Sequence, residues 1–139
     1  MNAIATLKTE ADRISELLGL PDSINDMTSL RSAVAQGLPA SSVENILSVM
    51  QSEPKVNLIA ERAFRRAKAE KLPLSAAKSQ TLYDLARAYV VPDAFYDGEG
   101  ILIMRFLEKP NPNLGGMTPL AMAITSPAGA DAVIDLLKA

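Results

Sequence analysis

The side chains in this sequence that could do chemistry are almost all acidic or basic. The 139 residues contain no histidine and no cysteine. The chain therefore lacks the most common general base, the Ser-His and Cys-His nucleophile pairs, and every zinc site built from imidazole or thiolate ligands. We expect no catalytic residues and no enzymatic activity of the chain by itself.

The densest group of carboxylates is Asp93, Asp97 and Glu99. Carboxylate oxygens are ligands for hard cations such as Ca²⁺. The spacing does not match an EF-hand loop, however, and acidic side chains where a helix meets a turn are normally solvated. The glycines of this region, and those at 115–116, do not form a phosphate-binding loop, because neither pair follows a strand or precedes Gly-Lys-Ser/Thr. We predict no metal site and no cofactor.

Basic side chains are concentrated in one segment. The net charge of the chain is −2, yet residues 55–71 hold six basic and two acidic residues. A helix here would turn its arginines away from an apolar stripe that includes Ala63, Phe64 and Ala67. With the preceding helix and a break at Pro54, this is the outline of a helix-turn-helix. The candidate DNA-binding residues are Arg62, Arg65, Arg66, Lys68 and Lys71. The alternative is an ordinary solvated helix face.

A second candidate surface is a loop rich in proline and glycine. Pro110 and Pro112 fix φ and remove two backbone donors, so no helix can run through them. The glycine pair 115–116 permits positive φ or close backbone approach. Thr118 can cap a new helix that has Pro119 in its first position. The pattern predicts a rigid loop between two apolar helices, with Met117 exposed in it; by itself it is compatible with a purely structural connector.

The residues around this loop follow a longer pattern. Residues 107–120 read L-x-x-P-N-P-x-L-G-G-x-T-P-L, and G-A-x-x-V-x-x-L-L follows from Gly129 onward. This stretch resembles the toxin-binding domain of the Xre/MbcA/ParS antitoxins, with looser similarity back to about Leu30. Phe106 stands where the family usually has Trp, and Met117 where many members have Arg.

The resemblance implies the antitoxin of a type II toxin–antitoxin pair. Its partner would be a RES-domain toxin, which consumes NAD or transfers ADP-ribose from it. The antitoxin would block nucleotide access to the toxin cleft, and as a homodimer within a hetero-oligomer it would bind operator DNA and repress its own promoter. Contacts with the toxin would come from the loop and the last helix: Lys109, Pro110, Asn111, Pro112, Asn113, Leu114, Gly115, Gly116, Met117, Thr118, Asp131, Asp135 and Lys138. The alternative is a stand-alone helix-turn-helix regulator without a toxin partner.

Apolar periodicity predicts an all-α fold. The short β-prone run 89–91 ends at a proline and does not qualify as a strand. A boundary near 72–75 would divide the chain into a DNA-binding and dimerisation module, 1–73, and a toxin-binding module, 74–139. We expect a cytoplasmic protein without a membrane segment, since no apolar run approaches the length that spans a bilayer. The first two predicted helices cover residues 3–18 and 28–36, and the third starts at a capping box, Ser41–Glu44, and is separated from the fourth by Pro54. The fourth covers 55–71, and the fifth is capped by Ser75 and kinked or ended by Pro92. The last three cover 101–107, 119–124 and 127–138.

Overall fold

The computed structural model describes residues 9–50 and 61–138. In these two ranges the chain is all-α and contains no strand, as predicted. Between the sixth and seventh helices lies one turn of 3₁₀ helix, Pro112–Leu114. The eight α-helices are α1 Glu10–Leu17, α2 Met27–Gln36, α3 Ser41–Met50, α4 Glu61–Glu70, α5 Ala76–Phe95, α6 Gly100–Glu108, α7 Pro119–Thr125 and α8 Pro127–Lys138.

Side-chain caps fix the beginnings of several helices. The predicted caps at Ser75 and Thr118 are confirmed, because each oxygen accepts a backbone N–H three residues on, at 3.1 Å. An Asp26 carboxylate oxygen accepts the Ser29 N–H at 2.7 Å and starts α2 in the same way. The capping box expected at Ser41–Glu44 does not form. Ser41 is itself the first residue of α3, and the carboxylate of Glu44 instead accepts a hydrogen bond from Lys68 at 2.9 Å.

Helix α5 is the element on which the rest of the described chain packs. It contacts α1, α2 and α3 on one side and α6, α7 and α8 on the other. The apolar residues Leu82, Leu85, Ala86 and Tyr89, which recur at helical spacing, are all buried. Pro92 does not end the helix, which continues to Phe95. Because both halves of the chain bury their apolar faces on α5, they share one main core.

A second, smaller cluster of buried side chains lies beneath the loop and the last two helices. It contains Ala88 of α5, Leu114 of the loop, Ala123 of α7, and Ala130 and Val133 of α8. The aromatic ring of Phe106 on α6 packs against both clusters. Helix α7 also contributes Leu120 directly to the main core, so the two clusters adjoin at α5, α6 and α7.

Helix α4 meets the core along a narrow strip. Ala67 is buried and Phe64 half-buried, as predicted, but Ala63 is exposed. The predicted stripe was too wide, because only one turn of α4 faces the body of the protein. The parts of the predicted helices 3–18 and 55–71 that precede residues 9 and 61, and the break at Pro54, lie outside the described residues.

The connection from α4 to α5 is attached to the turn between α2 and α3. Leu74 donates its N–H to the Leu38 carbonyl at 2.8 Å, and Leu38 donates its own N–H to the Ser79 hydroxyl at 2.8 Å. Gly37 has φ +108°, and a Cβ there would lie 2.5 Å from the Leu74 carbonyl oxygen, so only glycine fits. Among the described helices, none is both long and apolar enough to cross a membrane.

Candidate protein-binding site

The proline–glycine loop between α6 and α7 is closed by its own backbone hydrogen bonds. The Asn111 N–H donates to the Met117 carbonyl at 3.0 Å, which joins the two ends of the loop. The Asn111 carbonyl in turn accepts from the N–H groups of Leu114 and Gly116, each at 3.0 Å. These local hydrogen bonds close the loop on itself, and the loop lies between two apolar helices, as the residue pattern predicted.

The side chains of Asn111 and Leu114 complete that shape. The Asn111 side-chain oxygen accepts the Asn113 N–H at 2.9 Å and so starts the 3₁₀ turn. Leu114 points inward and is buried among the apolar residues of the second cluster. The middle of the loop is therefore anchored to α5, α7 and α8, and its remaining residues are held at the surface.

Two consecutive glycines turn the chain back towards α7. Gly115 has φ +66° and Gly116 has φ +87°, both in the left-handed region. A Cβ at either position would meet no atom within 4 Å. Of the two roles that the sequence allowed for this pair, the structure shows positive φ and not close packing.

The structure places most of the predicted toxin-contact residues of the loop at the surface. Asn111 and Thr118 are half-buried, and Leu114 is buried. Met117 leaves 39% of its surface exposed, as predicted, and is the only large apolar side chain that this loop exposes. The exposed residues are Lys109, Pro110, Pro112, Asn113, Gly115, Gly116 and Met117.

The predicted contact residues of α8 are also exposed, but they are not equivalent. Asp135 and Lys138 form no ion pair with another described residue. The carboxylate of Asp131, by contrast, accepts a hydrogen bond from Arg87 of α5 at 2.7 Å. Asp131 thus has a role inside the chain, which the sequence did not reveal.

Arg87 is the centre of a polar network beneath α8. Its guanidinium also lies 2.8 Å from the carboxylate of Asp84, which is almost completely buried and accepts from Gln80 at 3.0 Å. Burial alone would lower the pKa of Arg87. The hydrogen bonds that its guanidinium donates to the Asp131 and Asp84 carboxylates, together with their negative charges, outweigh burial and raise that pKa above its ordinary value. The one sequence signal was the spacing of Gln80, Asp84 and Arg87, which puts them on one face of a helix.

The basic residues predicted to bind DNA are all exposed. Arg62, Arg65, Arg66 and Lys68 lie on α4, and Lys71 follows it with φ +55°. Arg66 pairs with Glu70 and Lys68 with Glu44, each at 2.9 Å, on the surface. The turn that would connect α3 to α4 in a helix-turn-helix lies in 51–60, outside the described residues.

The carboxylates at the α5–α6 junction do not form a metal site. Within residues 9–50 and 61–138, no group of three or more acidic residues is arranged to hold a metal ion. Asp93 acts instead on its neighbour Tyr89, whose pKa is raised by burial and, to a smaller extent, by the Asp93 charge.

The chain was compared with models of known protein families. Residues 98–139 match the family model described as the antitoxin Xre/MbcA/ParS C-terminal toxin-binding domain. This confirms the resemblance for the part of the chain that contains α6, the loop, α7 and α8. Helices α1 to α5 lie outside the match. A comparison with curated proteins finds no match.

Proposed function

We propose that this chain is the antitoxin of a toxin–antitoxin pair and that its partner is a RES-domain toxin, because residues 98–139 match the model of the Xre/MbcA/ParS toxin-binding domain. The observation that carries the proposal is that the matched segment contains the loop that is both pre-shaped and exposed. The chain needs no chemistry of its own for this task, because binding alone can inactivate an enzyme.

The loop is suited to tight binding by its hydrogen bonds. A segment that is ordered before docking loses little conformational entropy when it binds. Met117 offers an adaptable apolar anchor, and it is surrounded by glycine, proline and asparagine, which let a partner approach the backbone closely. On α8, Asp135 and Lys138 are available for polar contacts at the rim of such an interface.

The proposed inhibition is steric. A RES-domain toxin must bind NAD in a cleft, so a protein that covers the entrance stops both NAD consumption and ADP-ribosyl transfer. In our proposal the loop, residues 109–118, together with the outer face of α8 covers that entrance. In our proposal Asp131 contributes less directly to toxin binding, because its carboxylate is already paired with Arg87.

The test is co-expression of the chain with the product of the adjacent reading frame, which we expect to be a RES-domain toxin. We expect the chain to restore growth and cellular NAD and to co-purify with the toxin. Met117→Asp should weaken the complex at least tenfold, because it puts a charge at the centre of the interface. The matched control is Val49→Asp on α3, which alters a similarly exposed apolar residue far along the chain and should leave neutralisation intact. Full neutralisation by Met117→Asp would refute the docking surface, and failure of the natural chain to bind the toxin would refute the function.

We further propose that the chain binds operator DNA through α4 and represses its own operon. The support is the exposure of all five basic residues, whose positive charge could contact phosphates. The double variant Arg65→Ala with Arg66→Ala should abolish operator binding and leave toxin neutralisation intact. The ion pair of Arg66 with Glu70 is exposed and contributes at most about 1 kcal/mol, so folding should survive.

The control for this test is Arg31→Ala with Lys78→Ala, which removes two exposed positive charges outside α4. It should reduce DNA affinity only slightly. If the α4 double variant bound DNA as well as the natural chain, or if both double variants lost DNA equally, α4 would not be the recognition helix. DNA binding without any toxin partner would instead favour the stand-alone regulator.

A further inference from the structure

A cavity of about 410 Å³ lies between the turn that joins α2 to α3 and the end of α4. Its volume is within the range of sites that hold small organic ligands. We propose that this space, which we call the α3–α4 cavity, binds a small carboxylic acid, whose apolar body enters the cavity and whose carboxylate contacts Lys71 at the rim. The proposal goes beyond the antitoxin function and does not depend on it.

The inside of the α3–α4 cavity is lined by apolar side chains. Ala40 and Ala67 are both buried and form its floor. Pro39, Leu72 and Pro73 form its walls, and Leu72 leaves 43% of its surface exposed. These five side chains offer carbon atoms and no hydrogen-bonding groups. The part of a ligand that fills the cavity must therefore be apolar.

The walls of the cavity are held in place by contacts between distant parts of the chain. Pro39 and Pro73 form an isolated antiparallel bridge. Beside them the Leu74 N–H donates to the Leu38 carbonyl at 2.8 Å. Gly37, which also lines the cavity, fits against the Leu74 carbonyl only because it lacks a Cβ. A cavity whose walls are already fixed loses little conformational entropy when a ligand enters it.

The rim of the cavity has one positive charge without a partner among the described residues. Of the three charged residues in the lining, Lys68 pairs with Glu44 at 2.9 Å. The Lys68 ammonium also lies 5.9 Å from the centre of the Phe64 ring. Lys71 forms no ion pair with another described residue. The two lysines and one glutamate give the rim a net charge of +1, which a monovalent anion neutralises.

This charge balance favours a carboxylate over a phosphate. A phosphate monoester carries roughly −1.5 to −2 charges at neutral pH. It would leave negative charge uncompensated close to the Glu44 carboxylate. A carboxylate carries a single negative charge, and an ammonium group donates a strong, charge-assisted hydrogen bond to it.

The backbone of Lys71 gives a second reason to assign this residue to ligand binding. Lys71 has φ +55°, and after it the Leu72 N–H donates to the Ala67 carbonyl at 2.9 Å. A helix that ends with this hydrogen bond usually has glycine in the left-handed position, because a side chain there is strained. Lysine is therefore less stable here than glycine would be, and the use of its charge for binding accounts for its presence.

NMR titration of the isotope-labelled full chain with octanoate tests the site. We expect saturable shifts of the backbone amides of Gly37, Ala40 and Ala67, with a dissociation constant below about 1 mM, as is usual for a ligand of this size. Octanol has the same chain without the charge, and acetate has the charge without the chain. Each should bind at least tenfold more weakly than octanoate. Octyl phosphate should bind no more tightly than octanoate.

Matched variants test the role of the Lys71 charge. Lys71→Gln should weaken octanoate binding at least fivefold. Lys78→Gln removes an exposed lysine that does not line the cavity, and it should leave the affinity unchanged. Lys71→Gly should weaken binding as much as Lys71→Gln and yet raise the urea midpoint, because glycine adopts positive φ without strain. A lysine that served only the negative end of the α4 dipole would leave octanoate affinity the same in every variant.

Three results would overturn the proposal. The first is the absence of saturable shifts up to about 5 mM octanoate, well above the expected dissociation constant. The second is a set of shifts centred elsewhere, for example on Ile101, an apolar residue of α6 that is 75% exposed. The third is equal affinity of the natural chain and Lys71→Gln for octanoate, or equal affinity of the natural chain for octanoate and octanol.

Discussion

The guanidinium of Arg87 on α5 donates a hydrogen bond to the carboxylate of Asp131 on α8 at 2.7 Å. The same guanidinium lies 2.8 Å from the buried carboxylate of Asp84 and 3.3 Å from the Pro127 carbonyl. These bonds attach the first turns of α8 to the central helix. The orientation of the face that α8 presents to a partner therefore depends on a residue that no partner needs to touch.

Replacement of Arg87 by methionine should destabilise the protein strongly. Methionine keeps much of the side-chain volume, but it leaves the Asp84 carboxylate buried without a cation. Removing one member of a buried ion pair typically lowers the free energy of unfolding by about 3–5 kcal/mol. Urea denaturation at neutral pH measures this loss.

The matched control is Asp131→Asn, which breaks the other half of the network at a mostly exposed carboxylate. Since exposed ion pairs contribute at most about 1 kcal/mol, this variant should remain close to the natural stability. Equal losses in the two variants would show that the Arg87–Asp131 bond, and not the burial of Asp84, dominates the network.

Gly129→Ala should push α7 and α8 apart and lower the stability of the protein. A Cβ at this position would clash with the carbonyl oxygen of Met122, which belongs to the backbone and cannot move aside. Overpacking of this kind usually costs about 1–3 kcal/mol. Gly100→Ala provides the comparison, because a Cβ there meets nothing within 4 Å and the residue does not have positive φ. Denaturant midpoints that fall equally in both variants would contradict the close approach of the two helices.

The helix boundaries could be predicted where they depend on residues that are close together in the sequence. Ser75 and Thr118 were identified as caps because a hydroxyl in that position can satisfy a free N–H only a few residues away. Ala63 was placed inward because it continues an apolar stripe, but how wide a stripe is covered depends on the neighbouring elements and not on the helix. The capping box at Ser41–Glu44 was predicted from residue types close in sequence. It does not form, and the Glu44 carboxylate instead accepts a hydrogen bond from Lys68, 24 residues further along the chain.

Some features of the candidate binding site could likewise be predicted from the sequence, and others could not. The shape of the loop follows from residues that restrict their own backbone, such as Pro112 and Gly115, so the sequence predicted it. The bond between Arg87 and Asp131 joins residues 44 positions apart, and a local pattern carries no information about it. The exposure of Ile101 could not be predicted either. An apolar residue in a short helix normally indicates a buried face, so the pattern favoured burial of this side chain.

Gly115→Ala should weaken both the loop and its complex with the toxin. Alanine in the left-handed region costs roughly 1–2 kcal/mol, so the loop would relax away from φ +66° and shift Met117. Titration of the purified toxin with the variant should show a loss of affinity, and Gly115→Asn should lose less, because asparagine tolerates this conformation better. Equal affinity for Gly115→Ala and the natural chain would mean that the shape of the loop does not determine binding.

The cap of α2 should give the stability a dependence on acid pH. The Asp26 carboxylate has a pKa below its ordinary 3.8, mainly because the Ser29 backbone N–H donates to it. A group whose pKa is lowered by folding stabilises the folded state above its unfolded pKa, and this contribution is lost as the pH falls through the folded value. Asp26→Asn keeps a capping oxygen but cannot titrate. The natural chain should therefore exceed Asp26→Asn in urea midpoint at pH 7, and the difference should shrink below about pH 3.8. A difference that stays constant between neutral and acid pH would show that the charge of Asp26 contributes nothing to the cap.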